Sequence, residues 1–325
     1  MRVTTDVFRG GKLESTHTIE AVVVDDAGHQ LFRTHHPEYQ TYVRSSAKPF
    51  QAYPLIHSGA AREYHLTLQE IAVCCASHNG ESIHIDTVRD IQQRAGLSEN
   101  DLMCGSHLPY DETSANALIR QHADPTPIYN NCSGKHTGML LASLHQGFPL
   151  ENYVDRNHPL QQQIVNFLEK TLNRHKIHTG IDGCSVPTFY LSLTELARLF
   201  QLLASGEEEN LAVIYDAMTS EPYLVAGHNR FDTDFMQAMK GAAVSKVGAE
   251  GVRGIGIRVD GKSYGLALKV LDGAKRASAS AALEILKITN LLSVEISRVF
   301  DSTAVESIFN HAGLRVGEIR TTISP

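Results

Sequence analysis

The chain has 325 residues, of which 42% are hydrophobic and 20% are charged, a composition typical of globular proteins. A formal net charge of −7 and a pI near 6.2 argue against nucleic acid as the main partner. The first residues lack the apolar core of a secretory signal, and no apolar stretch is long enough to cross a bilayer. We therefore expect no membrane partner. Since the five cysteines form no close-spaced framework, we also expect a cytoplasmic protein.

Residue periodicity and turn residues predict the secondary structure. Apolar runs around Gly-containing turns predict strands over residues 21–25, 31–33, 252–258 and 263–270. Apolar residues at helical spacing predict helices over 45–59, 82–95, 114–122, 139–144, 159–174, 192–205, 211–218, 232–239 and 274–292. Polar loops are predicted over 130–138 and 244–251, and the tail from Gly313 is predicted to be an edge segment or poorly ordered.

The order of these elements predicts an α+β fold. Strands lie near both ends, and helices dominate the middle of the chain. We therefore expect the N- and C-terminal strands to form one mixed sheet, with a helical region inserted between them. Because no repeat or linker divides the chain, residues 1–325 are predicted to form a single domain with two lobes around one active-site cleft.

A serine and a lysine at helical spacing, Ser45 and Lys48, are the first candidates for chemistry. Residues i and i+3 share one face of a helix, so the lysine can accept the proton of the serine if its pKa is lowered. Pro49 is compatible with a first helical turn. Taken alone, so short a pattern more often contains a capping serine and a solvated lysine.

Two further elements follow in an order that the serine β-lactamases share. The Ser-x-x-Lys pattern precedes Ser77-His78-Asn79 and then Lys246-Val247-Gly248, as S-x-x-K, S-D-N and K-T-G follow one another in those hydrolases. The alternatives are a helix-capping role for Ser77 and an exposed position for Lys246. We interpret His78 as a hydrogen-bonding neighbour rather than a general base.

Two loop cysteines form a separate candidate site. Cys132 lies in Cys-Ser-Gly-Lys-His, and Cys184 follows Asp182-Gly183. As thiolates they can bind zinc, but the spacing is not that of a common zinc motif and by itself favours two partly buried thiols.

The motifs together resemble the rhizobial-type, or class 3, L-asparaginases of the asparaginase II family. The resemblance spans roughly residues 20–290 and rests on segments that occur in the family's order: Arg-Ser-Ser-Ala-Lys-Pro at 44–49, Cys-Ala-Ser-His at 75–78, Cys-Gly-Ser-His at 104–107, Asn-Cys-Ser-Gly-Lys-His at 131–136, Asp-Gly-Cys at 182–184 and Lys-Val-Gly-Ala at 246–249. It implies a fold similar to serine β-lactamases and glutaminases, hydrolysis of L-asparagine to L-aspartate and ammonia, and a homodimer.

The resemblance also implies residue roles. The family's two serine–lysine tandems correspond to Ser45 with Lys48 and to Ser77 with Lys246. Its zinc site corresponds to Cys132, Lys135 and Cys184, with the zinc supporting substrate binding. Nearby residues that would orient the ligands are His136 and Asp182. Apart from the resemblance, Arg44 beside Ser45 is a candidate carboxylate clamp for the substrate, with a structural ion pair as the alternative, and His78 and Asn79 are candidate substrate-binding residues. The chain departs from the family in having Asn79 where serine is frequent, and in a shorter C-terminal region.

Three functions are compatible with these features. The first is an L-asparaginase in which Ser45 is favoured as the nucleophile and an acyl-enzyme forms, with glutaminase activity as a close alternative. The second is a β-lactamase or D,D-peptidase, which normally acts outside the cytoplasm. The third is a non-catalytic zinc-binding protein, against which the three intact Ser/Lys elements argue.

Overall fold

The computed structural model describes residues 1–325. Its strands are β1 Arg2–Arg9, β2 Lys12–Val24, β3 Gln30–Arg33, β4 Gln40–Tyr42, β5 His178–Ile181, β6 Pro187–Ser192, β7 Ala243–Gly248, β8 Val252–Val259, β9 Lys262–Val270, β10 Val305–Phe309 and β11 Arg315–Ser324. Its helices are α1 Lys48–Gln51, α2 Tyr53–His57, α3 Ala60–Glu63, α4 Leu68–Cys74, α5 Ser82–Arg94, α6 Glu112–Arg120, α7 Ser133–His145, α8 Pro159–Thr171, α9 Leu193–Ser205, α10 Glu209–Ser220, α11 Pro222–Val225, α12 Phe231–Met239, α13 Ser278–Ile288, α14 Val294–Val299 and α15 Asp301–Ala304. None of these helices combines the length and the hydrophobicity that a membrane-spanning segment requires.

The chain divides into two compact units. The sheet unit contains residues 1–46, 191–205 and 245–325, and the helical unit contains residues 47–190 and 206–244. The predicted α+β class, with terminal strands in one sheet and an inserted helical region, is confirmed. The single domain with one cleft stays a prediction.

The large sheet joins the two ends of the chain. Its strand order is β10-β11-β1-β2-β9-β8-β7, and β3 pairs with β2. The last strand runs antiparallel to the first, with Arg2 opposite Ser324 and Arg9 opposite Gly317. The prediction of an edge or poorly ordered tail after Gly313 is therefore wrong. Short alternating segments at chain ends give little local indication of a strand, and the pairing partner lies more than 300 residues away.

Helices α9 and α13 cover opposite faces of this sheet. On one face, a Cβ added to Gly265 would lie 1.8 Å from the carbonyl oxygen of Ala197, so only glycine lets α9 approach β9 this closely. On the other face, the buried Arg253 donates from Nε to Ser278 Oγ at 3.1 Å. Gly256 pairs with Gly265 and therefore lies on the same face of the sheet, the face covered by α9. Successive side chains of a strand point to opposite faces, so Arg253, three residues before Gly256, lies on the face covered by α13.

The helical unit is organised around α7. Eleven of its thirteen residues are buried, from Ser133 to Ser143, and it packs against α2, α3, α4, α5 and α8. A helix that is buried all round belongs to the interior of a domain. The residues at its first turn therefore lie away from bulk water, and a polar side chain there must find partners within the protein.

Three predicted boundaries are wrong. Residues 133–138 belong to α7 rather than to a loop, and Gly134, a residue typical of loops, allows close packing there: an added Cβ would lie 2.2 Å from the carbonyl oxygen of Val73. Residues 243–248 form β7, so Lys246 lies in a strand. The predicted helix 45–59 is a 3₁₀ turn at 44–47 followed by α1 and α2, each with a proline in its first turn.

Candidate active site

Lys48 is the most enclosed charged group of the helical unit. Its side chain is only 1% exposed. The Nζ atom donates to the carbonyl oxygen of Ala76 at 2.5 Å and lies 3.2 Å from the carbonyl oxygen and 3.4 Å from Oδ1 of Asn131. It has no ion pair. Burial lowers the pKa of Lys48 below its ordinary value, although negative charge on Cys132 opposes the shift.

The orientation of the Asn131 amide follows from its neighbours. His107 Nδ1 donates to the carbonyl oxygen of Leu108 at 2.6 Å, which leaves Nε2 as an acceptor. That nitrogen accepts from the backbone N–H and from Nδ2 of Asn131, both at 3.1 Å. The Tyr110 hydroxyl accepts from the same Nδ2 at 3.0 Å, and the Tyr110 ring stacks on the imidazole of His107. Asn131 Oδ1 therefore faces Lys48.

Ser77 follows directly after the carbonyl that binds Lys48. It is 6% exposed, and its backbone N–H donates to the carbonyl oxygen of Val225 at 3.0 Å. Two residues further on, the N–H of Asn79 donates to the carbonyl oxygen of Ala226 at 2.9 Å. These two bonds fix the backbone of residues 77–79 on both sides of His78. The predicted Ser77 element is thus held rigidly beside the anchor of Lys48.

His78 uses both ring nitrogens inside the protein. Nδ1 accepts from the N–H of Gly80 at 3.2 Å, so Nε2 carries the hydrogen and donates to Ser133 Oγ at 3.0 Å. The side chain is fully buried, and burial holds its pKa well below the usual range. Because neither nitrogen is available to a ligand, this geometry favours a positioning role for His78 over direct substrate binding.

Asn79 belongs to a second polar network. Its Nδ2 donates to Glu81 Oε1 at 3.1 Å and to the carbonyl oxygen of His228 at 2.9 Å. Its Oδ1 accepts from Arg230 Nη1 at 2.7 Å, and the same Nη1 lies 3.5 Å from the carbonyl oxygen of Ser77. Glu81 also accepts from the N–H of His228 and from the hydroxyl of Tyr223.

The three predicted metal ligands lie together. Cys132, Lys135 and Cys184 are 5%, 3% and 5% exposed, and Lys135 Nζ donates to Cys184 Sγ at 2.9 Å. A hydrogen bond from the Cys184 thiol lowers the pKa of Cys132 well below its usual value and raises that of Cys184. Burial opposes the charge on Lys135, but the two cysteine sulfurs raise its pKa above the ordinary value.

This donor set fits zinc. Two thiols and an amine converge in a buried site, and two thiolates with a third protein donor leave the fourth tetrahedral position open. No group of three His, Cys, Asp or Glu residues in the structure can hold a metal, so the amine is needed as the third donor. Zinc binding would require Lys135 and Cys184 to release their protons.

The residues predicted to surround these ligands have separate partners. Asp182 and Cys184 lie in the turn between β5 and β6, where the N–H of Ser185 donates to the carbonyl oxygen of Asp182 at 2.9 Å. The Asp182 carboxylate contributes to the raised pKa of Lys135. His136, next to Lys135 in α7, is fully buried, with Nδ1 2.6 Å from the hydroxyl of Tyr153 and no partner at Nε2.

The remaining predicted residues lie in the sheet unit. Arg44 and Ser45 are half-buried in the 3₁₀ turn that ends just before α1, and Arg44 has a positive φ of 48°. Lys246 is fully buried in β7, and its Nζ donates to the carbonyl oxygen of Val247 at 3.2 Å. The structure thus places Ser45 and Lys246 in one unit and Lys48, Ser77 and the metal ligands in the other.

Sequence reasoning missed several residues of this site. Asn131 lies inside a family-like segment, so its proximity to Lys48 could have been suspected. His107 likewise lies in a quoted segment, whereas nothing in the local sequence distinguishes Arg230 or Tyr110 from surface residues. Their roles arise from contacts between segments far apart in the chain, such as that of Arg230 with Asn79.

Comparison with known families decides the assignment. The L-asparaginase II family matches residues 5–321, nearly the whole chain. The chain belongs to the L-asparaginase II family. The predicted family is therefore confirmed, and this asparaginase II protein is an asparaginase-type hydrolase of a small-molecule amide. No curated protein sequence matches it.

Solved structures similar to this asparaginase II protein are distant. A β-lactamase from Sphaerobacter thermophilus DSM 20745 is 12% identical, with 85% of this chain and 93% of that chain covered and a TM-score of 0.44. Mglu, in its native form in 4.3 M NaCl, is 11% identical, with 90% and 66% covered and a TM-score of 0.43. A candidate β-lactamase from Bacteroides dorei DSM 17855 is 13% identical, with 89% and 93% covered and a TM-score of 0.42.

Proposed function

We propose that this chain hydrolyses L-asparagine to L-aspartate and ammonia through a serine acyl-enzyme. The observation that carries the proposal is Lys48: it is buried, pairs with no carboxylate, and donates to the carbonyl that directly precedes Ser77. A lysine whose pKa is lowered by burial can act as a general base, which a solvated lysine cannot do efficiently near neutral pH. Family membership supports asparagine as the substrate.

The first half-reaction transfers the acyl group. Neutral Lys48 accepts the hydroxyl proton of Ser45, and Oγ attacks the side-chain carboxamide carbon. The tetrahedral intermediate collapses as its C–N bond breaks, and the proton passes to the leaving nitrogen, which departs as ammonia. An aspartyl ester on the serine remains.

Water completes the reaction. Lys48, neutral again, accepts a proton from water, the hydroxide oxygen attacks the ester carbonyl, and aspartate leaves as the proton returns to Oγ. In this proposal Ser77 and Lys246 relay protons. His78 holds the backbone of Ser77 in place through its bonds to Gly80 and Ser133.

Zinc has a supporting role in this proposal. Cys132, Lys135 and Cys184 would hold it, and as a Lewis acid it would help to bind and polarise the substrate. Asn131 Oδ1 lies 3.2 Å from Cys132 Sγ and 3.4 Å from Lys48 Nζ, so the proposed metal ligands lie next to the proposed base. No covalent step depends on the ion.

Ammonia release from L-asparagine and L-glutamine tests the function. We expect rapid turnover of asparagine by the wild type, a loss of about 10³-fold or more in S45A, and no loss in S220A, which changes an exposed serine of α10. No turnover of either amide by folded, zinc-loaded protein would refute the amidase. An acyl adduct that still forms on Ser77 in S45A would reverse the assigned order of the serines.

The rival functions give different results in the same series. Preferential glutamine turnover would make the chain a glutaminase, and discrimination of one methylene by pocket shape alone is worth only about 10- to 200-fold. Hydrolysis of a chromogenic β-lactam would favour the β-lactamase alternative. The homodimer and the cytoplasmic location stay predictions, which sedimentation and fractionation can test.

A further inference from the structure

Arg230 contacts both ends of the segment 77–79. It lies directly before α12, and its Nη1 reaches both Asn79 Oδ1 at 2.7 Å and the carbonyl oxygen of Ser77 at 3.5 Å. The backbone between these contacts is fixed by the bonds of Ser77 and Asn79 to residues 225–226. These contacts hold the guanidinium next to Ser77, a predicted catalytic serine.

No carboxylate lies within ion-pairing distance of Arg230. It forms no ion pair, and neither Nε nor Nη2 makes a hydrogen bond within the protein, although the residue is half-buried. Glu81, the acid of this network, is already bonded by Asn79 Nδ2, the N–H of His228 and the hydroxyl of Tyr223. Partly buried charges are normally paired, so three unused N–H donors here indicate an anionic ligand.

The neighbouring imidazoles do not supply that ligand. His78 and His84 are stacked at 5.1 Å, and both have lowered pKa values, mainly through burial, with the Arg230 charge acting in the same direction. They are therefore neutral, and the guanidinium carries the positive charge of this group. A planar fork of N–H donors matches a carboxylate in a bidentate arrangement.

We propose that Arg230 binds the α-carboxylate of the amino-acid substrate. The inference rests on the proposed asparaginase function and deepens it by assigning a residue that fixes the charged end of the substrate. It moves this role from Arg44, the residue expected from the sequence, to Arg230. An uncharged amide without a carboxylate would lack this contact, so Arg230 would select amino-acid amides over simple ones.

A substrate truncation separates binding from a structural effect. L-Asparagine and 3-aminopropanamide differ only by the α-carboxylate, so kcat/KM for both is measured with wild type, R230Q and R230K. We expect R230Q to lose about 100-fold on L-asparagine and less than about threefold on 3-aminopropanamide, and R230K to recover part of the loss. The matched control R89Q, which removes an exposed arginine of α5, should change neither.

The outcomes are distinguishable. Equal losses on both substrates would assign Arg230 a structural role through Asn79 and overturn the proposal, as would no loss on L-asparagine. If the wild type turns over no asparagine, the proposed function fails, and calorimetric binding of L-aspartate decides the inference separately. Binding that is lost in R230Q and kept in R89Q would then support the carboxylate site, and equal binding by both would overturn it. R230K keeps the test valid if R230Q does not fold.

Discussion

Lys48 Nζ donates to the carbonyl oxygen of Ala76 at 2.5 Å, so the lysine of the first Ser/Lys element is bonded to the residue that precedes the serine of the second. This bond couples two motifs that are 28 residues apart in the chain. It also provides a polar anchor for an amine whose burial disfavours the charged form. The arrangement is compatible with the proposed role of Lys48 as a general base.

Replacement of Lys48 should abolish catalysis without unfolding the protein. K48M keeps the length of the side chain and removes the base, so we expect kcat/KM for asparagine to fall about 10³-fold, within the range of general-base effects. Ammonia release measures the loss, and circular dichroism checks the fold. K170M, which changes an exposed lysine of α8, should retain full activity. Activity within tenfold of wild type in K48M would exclude Lys48 as the base.

His107 should act as a positioning residue for Lys48. Its Nε2 accepts two bonds from Asn131, which turns Asn131 Oδ1 toward Lys48. In H107L this acceptor is lost, and we expect kcat to fall about tenfold with little change in KM, since about 1–1.5 kcal/mol of hydrogen bonding is removed. H107Q supplies an acceptor at a similar distance and should restore most of kcat. Equal losses of kcat in H107L and H107Q would contradict the positioning of Lys48 by His107 through Asn131.

Stability should decrease in acid partly through His78. Its folded pKa lies well below the ordinary value because of burial, whereas the unfolded side chain takes up a proton below about pH 6.5. The unfolded state then binds more protons than the folded state, so the unfolding free energy falls as the pH falls through this window. Urea titrations from about pH 7.5 to about pH 5 should show a steeper fall for wild type than for H78Q. Parallel curves would refute the assignment.

Zinc content should distinguish the cysteines. We expect C184S to retain little zinc after dialysis, because one of only three protein donors is removed. C104S is the matched control: Cys104 is also buried, but burial raises the pKa of its thiol to about 12, and its Sγ faces the carbonyl oxygen of Pro127. Metal analysis of both variants and wild type measures the difference. Equal zinc in C184S and wild type would remove Cys184 from the site.

Gly134 should be essential for the packing of α7. An added Cβ would lie 2.2 Å from the carbonyl oxygen of Val73, and this backbone cannot move aside cheaply. We expect G134A to lower the unfolding free energy by about 3 kcal/mol or more. G183A introduces the same methyl group where nothing lies within 4 Å, and it should stay within about 0.5 kcal/mol of wild type. Denaturant titration measures both variants, and similar values would refute the packing argument.

Elements that depend on neighbouring residues could be predicted from the amino-acid sequence alone. The helix predicted over 192–205 and the hairpin between the predicted strands 252–258 and 263–270 are both present, because a few neighbouring side chains and backbone angles decide them. The α+β class followed from the order of such elements. The family followed from short polar motifs, which the match over residues 5–321 confirms.

The partners of each side chain, in contrast, depend on packing between segments that are distant in the chain. Gly134, interpreted as a loop residue, is a close-packing position, because its local sequence cannot show that Val73 lies against it. The C-terminal tail forms an inner strand because it pairs with β1, whose residues lie more than 300 positions earlier in the sequence. The unpaired charge of Arg230 has the same origin, since burial and the absence of a carboxylate are properties of a packed environment rather than of a local sequence.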